Sequence, residues 1–81
     1  MTWRVFVTDS CEADLEQLGD AERSVLANDL FRWVESGPPR SNRRSVAGAE
    51  VFEDRLAAGF VVTYFVDEQA PYVAILRVRR R

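Results

Sequence analysis

The sequence of 81 residues contains no histidine and no lysine, and its one cysteine is Cys11. Without histidine, the chain can form neither a Ser–His or Cys–His catalytic pair nor a histidine-ligated metal site. A single cysteine excludes an internal disulfide and fits a reducing compartment. Cys11 falls on an apolar stripe, which favours a buried core residue over a reactive thiol. We therefore expect no metal, no cofactor and no cysteine chemistry.

Several targeting and binding signals are also missing. No charge-free run approaches the ~20 residues that a membrane-spanning helix needs, and the N-terminus lacks the layout of a secretory signal. The glycines are isolated turn residues and do not form a phosphate-binding loop. We expect one domain, residues 1–81, because a chain of this length can bury about 60% of its unfolded surface. We expect it to be cytoplasmic, without a membrane partner.

The positive charge is carried entirely by arginine and is unevenly distributed. Residues 1–36 contain eight carboxylates and three arginines, a net charge of −5. Residues 37–81 contain five carboxylates and eight arginines, a net charge of +3. A GC-rich source would explain the missing lysine but not this clustering. An acidic front and a basic back indicate a surface for anions, such as RNA phosphates or an acidic partner.

The first half of the chain predicts one strand and two helices. Residues 2–8 alternate between two faces, as in a strand. Asp9 has the position of a helix N-cap, with Glu12 as its reciprocal partner. The apolar stripe of this short first helix recurs at i, i+4 and i+7 (Cys11, Leu15 and Leu18). Gly19 ends the helix.

The second helix is predicted from Asp20 or Ala21 to about Glu35. Its apolar stripe follows the i, i+4, i+7, i+8 pattern (Leu26, Leu30, Trp33 and Val34). A Gly-Pro-Pro sequence at positions 37–39 stops it. The two helices therefore form an antiparallel pair that covers one face of a sheet.

The C-terminal part predicts that sheet. Three runs rich in β-formers, EVFEDRL, FVVTYFV and YVAILRVRRR, are separated by AAG and DEQAP, which are short enough for hairpins. They predict a three-stranded antiparallel meander, and the polar PPRSNRRS segment before it is predicted as a surface loop. The fold class is therefore α+β with the order β-α-α-β-β-β, a helical hairpin packed on a small antiparallel sheet. Period-2 alternation would turn Asp54 toward the helices, but we expect it at the sheet's rim.

This order and several short motifs resemble the RelE/ParE superfamily of bacterial type II toxins. The matches are Gly48, the Phe52-Glu53-Asp54-Arg55 strand, the Gly59-Phe60 turn, Tyr64, and the final strand with its basic end at residues 75–81. The resemblance spans essentially the whole chain. It implies a toxin that is held by a cognate antitoxin, whose acidic amphipathic segment would cover the basic surface.

In ribosome-dependent members of this superfamily, arginines and other basic residues cleave mRNA on the ribosome. Arginine can hold a phosphodiester bidentately and stabilise the charge that develops on it. The resemblance implies a catalytic role for Arg55, Arg80 and Arg81, and RNA binding by Arg43, Arg44, Arg77 and Arg79. Strand pairing would place Arg55 and the chain end about 10 Å apart. The terminal arginines could instead be solubilising charges on an edge strand.

Two positions depart from the pattern of these nucleases. Glu53 stands where some members carry a second basic residue, and Val61 stands where the third-strand arginine is expected. The C-terminal extension, whose Tyr or His often completes the site, is absent from these 81 residues. These departures leave two alternatives open. One is a ParE-like poison of DNA gyrase, and the other is a non-catalytic module that only binds its antitoxin.

Overall fold

A computed structural model describes residues 2–56 and 59–80 of the chain. The elements follow one another as β1 (Arg4–Val7), α1 (Asp9–Glu16), α2 (Asp20–Ser36), β2 (Arg43–Val46), β3 (Ala49–Arg55), β4 (Phe60–Asp67) and β5 (Tyr72–Arg80). Arg81, one of the residues expected in the site, lies outside the described residues. No helix in the described part is long and apolar enough to cross a membrane.

The strands form one sheet in the order β1-β5-β4-β3-β2. β3, β4 and β5 are successive antiparallel neighbours, as the meander prediction required. The α+β class and the order of the predicted elements are confirmed. Two features differ from the prediction: β1 pairs with β5 in parallel, so the sheet is mixed, and a further strand, β2, precedes the meander.

β2 corrects the prediction that the basic segment before the meander is only a surface loop. It pairs antiparallel with β3 across the turn Ala47-Gly48, whose two residues have φ of 51° and 82°. Positive φ at both central residues is typical of the type I′ turn, whose twist matches that of a hairpin. All four residues of β2 are exposed, so the strand lacks the apolar alternation that would have predicted it.

Thr8, rather than Asp9, is the N-cap of α1. The Thr8 hydroxyl accepts a hydrogen bond from the Cys11 N–H (3.3 Å) and donates one to the Ile75 carbonyl on β5 (2.8 Å). The second bond explains the one-residue shift, because it ties the cap to the sheet. α2 begins after Gly19, whose N–H donates to the Glu22 carboxylate (3.2 Å).

The core lies between the two helices and one face of β3, β4 and β5. Its fully buried side chains are Tyr64, Leu26, Ile75, Val62, Val73 and Cys11. Trp33 of α2 packs on Tyr64 with ring centroids 4.8 Å apart, and Phe52 stacks on Tyr64 at 5.7 Å. Burial raises the pKa of the Cys11 thiol to about 11. The thiol is therefore protonated at neutral pH, as expected for a core residue.

Asp54 lies in this core, and its predicted position at the sheet's rim is wrong. Its side chain is 4% exposed and accepts a hydrogen bond from the Tyr64 hydroxyl. The Ser41 N–H donates to both carboxylate oxygens at 3.2 Å. Backbone and hydroxyl donors thus take the place of water, which allows the period-2 pattern of β3 to continue without a bulge.

Candidate functional site

The helices leave one side of the sheet uncovered, and this side is the open face. Its side chains alternate with the buried ones along the three long strands. On β3 they are Val51, Glu53 and Arg55; on β4 they are Val61, Thr63, Phe65 and Asp67; on β5 they are Tyr72, Ala74, Arg77 and Arg79. The edge strands add Arg4 and Phe6 on β1 and Arg44 on β2. Rows of side chains therefore run across the sheet.

One row of the open face carries two arginines on either side of a valine. Arg55 pairs with Val61, and Val61 pairs with Arg79. Because neighbouring strands lie ~4.8 Å apart, the Cα atoms of Arg55 and Arg79 are separated by about 10 Å. Both arginines are exposed, and a group bound above Val61 would lie within reach of both side chains.

Glu53 lies in the neighbouring row, beside Thr63 of β4. Its carboxylate forms ion pairs with Arg44 through one oxygen and with Arg79 through the other, each at 3.2 Å. The Glu53 side chain is 20% exposed, whereas both arginines remain more than half exposed. The carboxylate thus holds two arginine side chains over the middle of the open face.

The open face concentrates positive charge. Among the described residues, its charged side chains are five arginines (Arg4, Arg44, Arg55, Arg77 and Arg79) and two carboxylates (Glu53 and Asp67), which gives +3. The whole chain has a net charge of −2, so the remainder of the chain carries −5. A molecule that is acidic overall therefore has one cationic face, which attracts anions to that face.

A shallow cleft of about 400 Å³ continues the open face past the end of β2. Its lining includes Arg55 and Val61 from the arginine row, together with Ser41 and Asn42 from the segment before β2. The Asn42 carbonyl accepts a hydrogen bond from the Glu53 N–H (2.8 Å). This bond holds the cleft wall against β3 beside Arg55.

The buried network around Asp54 fixes the position of that wall. Tyr64 links β3 to the segment before β2, because its hydroxyl donates to Asp54 and accepts from the Arg40 N–H (2.8 Å). Burial, and after it the hydrogen bond to Asp54, raises the pKa of the Tyr64 phenol well above its ordinary value. The phenol therefore stays protonated and remains the donor at physiological pH.

Arg80 does not lie on the same face of the sheet as Arg55. It pairs with Phe60 across the sheet, so its side chain points to the helix side, where it forms an ion pair with Glu22 of α2. Its guanidinium lies 5.9 Å from the centre of the Phe60 ring. The structure instead places Arg55 in one row with Arg79, and Arg79 shares Glu53 with Arg44.

The two arginines at the start of β2 diverge. Arg44 lies on the open face, but Arg43 points the other way, 6.0 Å from the centre of the Phe52 ring and 3.6 Å from Glu50. β1 pairs only with residues 72–75 of β5, so Arg77 and Arg79 lie on a part of β5 that pairs with β4 alone among the described strands.

Arg77 is tied to a helix. Its guanidinium donates two hydrogen bonds to Asp14 of α1 (2.8 and 3.0 Å), and Asp14 also accepts from the Val78 N–H (2.9 Å). The bond to Arg77 lowers the pKa of the Asp14 carboxyl below its usual range. No local pattern in the sequence marks this pair, because its members are 63 positions apart.

Glu53 is a second residue whose position the sequence did not reveal. Period-2 alternation predicts that Glu53 and Arg55 share a face. Of the two arginines that Glu53 binds, Arg44 comes from the adjacent strand β2 and Arg79 from β5, on the far side of β4. Their positions are set by pairing across the sheet. Among the described residues, no cluster of cysteine and carboxylate side chains could hold a metal ion.

No family model and no curated protein matches the sequence. Solved structures do match. The chain resembles the RelBE2 toxin–antitoxin complex of Mycobacterium tuberculosis, with a TM-score of 0.75 and 21% identity over 100% of both chains. It also resembles the archaeal RelE–RelB complex of Pyrococcus horikoshii, with a TM-score of 0.75 and 18% identity over 100% of this chain and 97% of the other.

A third match is a mutant of the E. coli toxin RelE in its free state. The TM-score is 0.73, and the identity is 20% over 99% of this chain and 84% of the RelE chain. Likeness at these identities establishes the fold. The chain therefore has the fold of the RelE toxins, as its sequence resemblance to the RelE/ParE superfamily predicted.

Proposed function

We propose that this protein is the toxin of a bacterial type II toxin–antitoxin system and that it cleaves mRNA on the ribosome. The observation that carries the proposal is the alignment of Arg55, Val61 and Arg79 in one row, next to a carboxylate held by two arginines. The shared fold with RelE toxins supports it. A ribosomal target would place the protein in the cytoplasm.

In this proposal, Arg55 and Arg79 hold one phosphodiester from its two sides. Each guanidinium can donate two parallel hydrogen bonds to phosphate oxygens and stabilise the charge that develops on them. Arg79 and Arg44 would exchange their contacts with Glu53 for contacts with the RNA. The Glu53 carboxylate is thereby freed beside the bound phosphate.

The nucleophile is the RNA's own 2′-hydroxyl. Its oxygen forms a bond to phosphorus, and the bond from phosphorus to the 5′-oxygen breaks, which leaves a 2′,3′-cyclic phosphate and a 5′-hydroxyl. Glu53 accepts the proton of the 2′-hydroxyl as general base, and solvent water supplies a proton to the departing 5′-oxygen. The chain's part is positioning, charge stabilisation and one proton transfer.

We further propose that an antitoxin with an acidic amphipathic segment covers the open face in the inactive state. The solved RelE–RelB complex contains a partner protein, and the +3 charge of the open face complements an acidic segment. A partner that binds only the folded toxin stabilises it, by about 2.7 kcal/mol at a hundred times Kd. A melting temperature that is the same with and without the co-expressed antitoxin would contradict this.

The proposal is tested with purified ribosomes that hold a defined mRNA. We expect the Arg79→Ala and Arg55→Ala variants to cleave this mRNA ~10²–10³-fold more slowly than the wild type, since each change removes one donor to the transition state. Arg23→Ala is the matched control, because Arg23 is exposed on α2 and pairs with Asp20, away from the open face.

Three outcomes separate the candidate functions. Cleavage that is lost in both open-face variants and kept in the control supports the interferase. Growth arrest with intact mRNA and trapped gyrase–DNA complexes would support the gyrase poison. Antitoxin binding without growth arrest would support the non-catalytic module.

A further inference from the structure

The half of the open face that lies away from Arg55 and Arg79 is aromatic. Phe6 of β1 is 49% exposed, although it stands in the inner part of a strand. Its ring meets Tyr72 of β5 edge to face, with centroids 5.6 Å apart at 75°. Phe65 of β4 lies on the other side of Tyr72, at 6.1 Å. Three aromatic rings thus lie together on the open face.

The strand register places two of these rings on either side of an alanine. Phe6 pairs with Ala74, and Ala74 pairs with Phe65, so a methyl group separates two aromatic side chains in one row. Tyr72 pairs with Arg4 on one side and with Asp67 on the other, so one charge of each sign flanks the rings, and the excess of arginine lies toward Arg55 and Arg79. Because the Tyr72 ring contacts both Phe6 and Phe65, the three rings form one aromatic cluster beside Ala74.

We propose that Phe6, Phe65 and Tyr72 form a stacking platform for unpaired bases of a single-stranded RNA. This inference deepens the proposed function and rests on it. The phosphodiester to be cut would lie over Arg55 and Arg79, and bases farther along the strand would lie on the rings. Val61 and Phe65 are four positions apart on β4, which corresponds to about 13 Å at ~3.3 Å per residue.

Charge and chemistry together favour RNA as the occupant. Single-stranded nucleic acid is bound by cationic surfaces that follow its phosphates and by aromatic side chains that stack on its bases. The open face offers both, with its charge of +3 and its three clustered rings.

The test measures equilibrium binding of a fluorescent 2′-O-methyl oligoadenylate hexamer, which cannot be cleaved because its 2′-oxygen is blocked. A second hexamer with the same backbone but abasic sugars reports the contribution of the bases. We expect the wild type to bind the adenylate hexamer about tenfold more tightly than the abasic one, since stacking contributes per base. We expect Phe6→Leu, which keeps an apolar side chain but removes the ring, to lose most of this difference, and Phe6→Trp to keep it.

Phe31→Leu is the matched control, because Phe31 is an aromatic side chain of α2 that is 72% exposed and lies away from the open face. We expect it to bind both hexamers as the wild type does. Thermal unfolding of each variant shows that the fold is kept.

Equal binding of the two hexamers by the wild type, or an unchanged difference in Phe6→Leu, would overturn the platform. So would no RNA binding together with tight binding of an acidic helical peptide to the same rings. Cleavage of ribosomal mRNA by the wild type and its loss in Arg79→Ala are measured separately. The platform can therefore fail while the proposed nuclease function stands.

Discussion

At the scale of single residues, a difference of one position along β5 decides which face of the sheet an arginine side chain occupies. Arg79 and Arg80 are neighbours in the sequence, yet Arg79 lies on the open face and Arg80 lies over Phe60 on the helix side. The resemblance to other toxins identified the basic end of the last strand, but it could not distinguish between adjacent residues. In a strand, a shift of one residue reverses the face.

Val61 allows a gain-of-function prediction at this scale. It stands between Arg55 and Arg79 in the same row, and it is partly exposed. We expect Val61→Arg to increase mRNA cleavage on ribosomes, by up to ~10²-fold, because it adds a donor next to the bound phosphate. Initial cleavage rates with the two proteins at equal concentration give the comparison.

Val25→Arg is the control for added charge, because Val25 is exposed on α2 and lies on the other side of the sheet. If Val61→Arg cleaves no faster than Val25→Arg, the row does not bind the reacting phosphate. Unchanged thermal stability of both variants would exclude misfolding as the reason.

At the scale of elements, α1 continues the edge of the sheet where β1 ends. β1 pairs with residues 72–75 of β5, and no strand of the described part of the chain lies beside the next part of β5 on that edge. Asp14 of α1 fills this place, because it accepts from the Val78 N–H and from Arg77. A side chain thereby satisfies a backbone donor that a sheet neighbour would otherwise bind.

The Asp14 pair predicts how stability depends on pH. Because the folded-state pKa of Asp14 is lowered, mainly by the bond to Arg77, the pair stabilises the fold fully above the unfolded pKa near 4. This contribution is lost as the pH falls through the folded-state pKa. We expect Asp14→Asn to unfold at a lower urea concentration than the wild type at pH 7, and the difference to shrink toward pH 2.

Urea unfolding at both pH values checks this, with Asp9→Asn as the control for loss of an acidic residue in the same helix. A difference between wild type and Asp14→Asn that stays the same at the two pH values would show that the ionised carboxylate is not the stabilising group.

The elements also show which features of the fold a sequence pattern can reveal. The stripe through Leu26 and Trp33 predicted α2 almost to its ends, because amphipathic helices are encoded locally. β2 was missed because all its residues are exposed, and its pairing depends on the turn and on β3. The parallel pairing of β1 with β5 joins residues almost 70 positions apart, as in Arg4 with Tyr72, and no local period encodes it.

At the scale of the whole molecule, the fold separates charge. The sequence divides into an acidic first part and a basic second part, and the sheet collects five arginines of the described residues on one face. The count of charges predicted an anion-binding surface, but it could not predict which residues form that surface. Glu53 joins Arg44 and Arg79 only because four strands, β2 to β5, pair in one register.

The chemistry of the cut ends tests the proposed nuclease most directly. We expect ribosome-bound mRNA treated with the wild-type protein to carry 2′,3′-cyclic phosphate and 5′-hydroxyl ends, and a 2′-deoxy nucleotide at the cleaved position to block the cut. Both results follow if the RNA's 2′-hydroxyl is the nucleophile and the arginine row holds the phosphate. Uncut mRNA on ribosomes exposed to the folded wild-type protein, or cleavage that persists at the 2′-deoxy position, would contradict it.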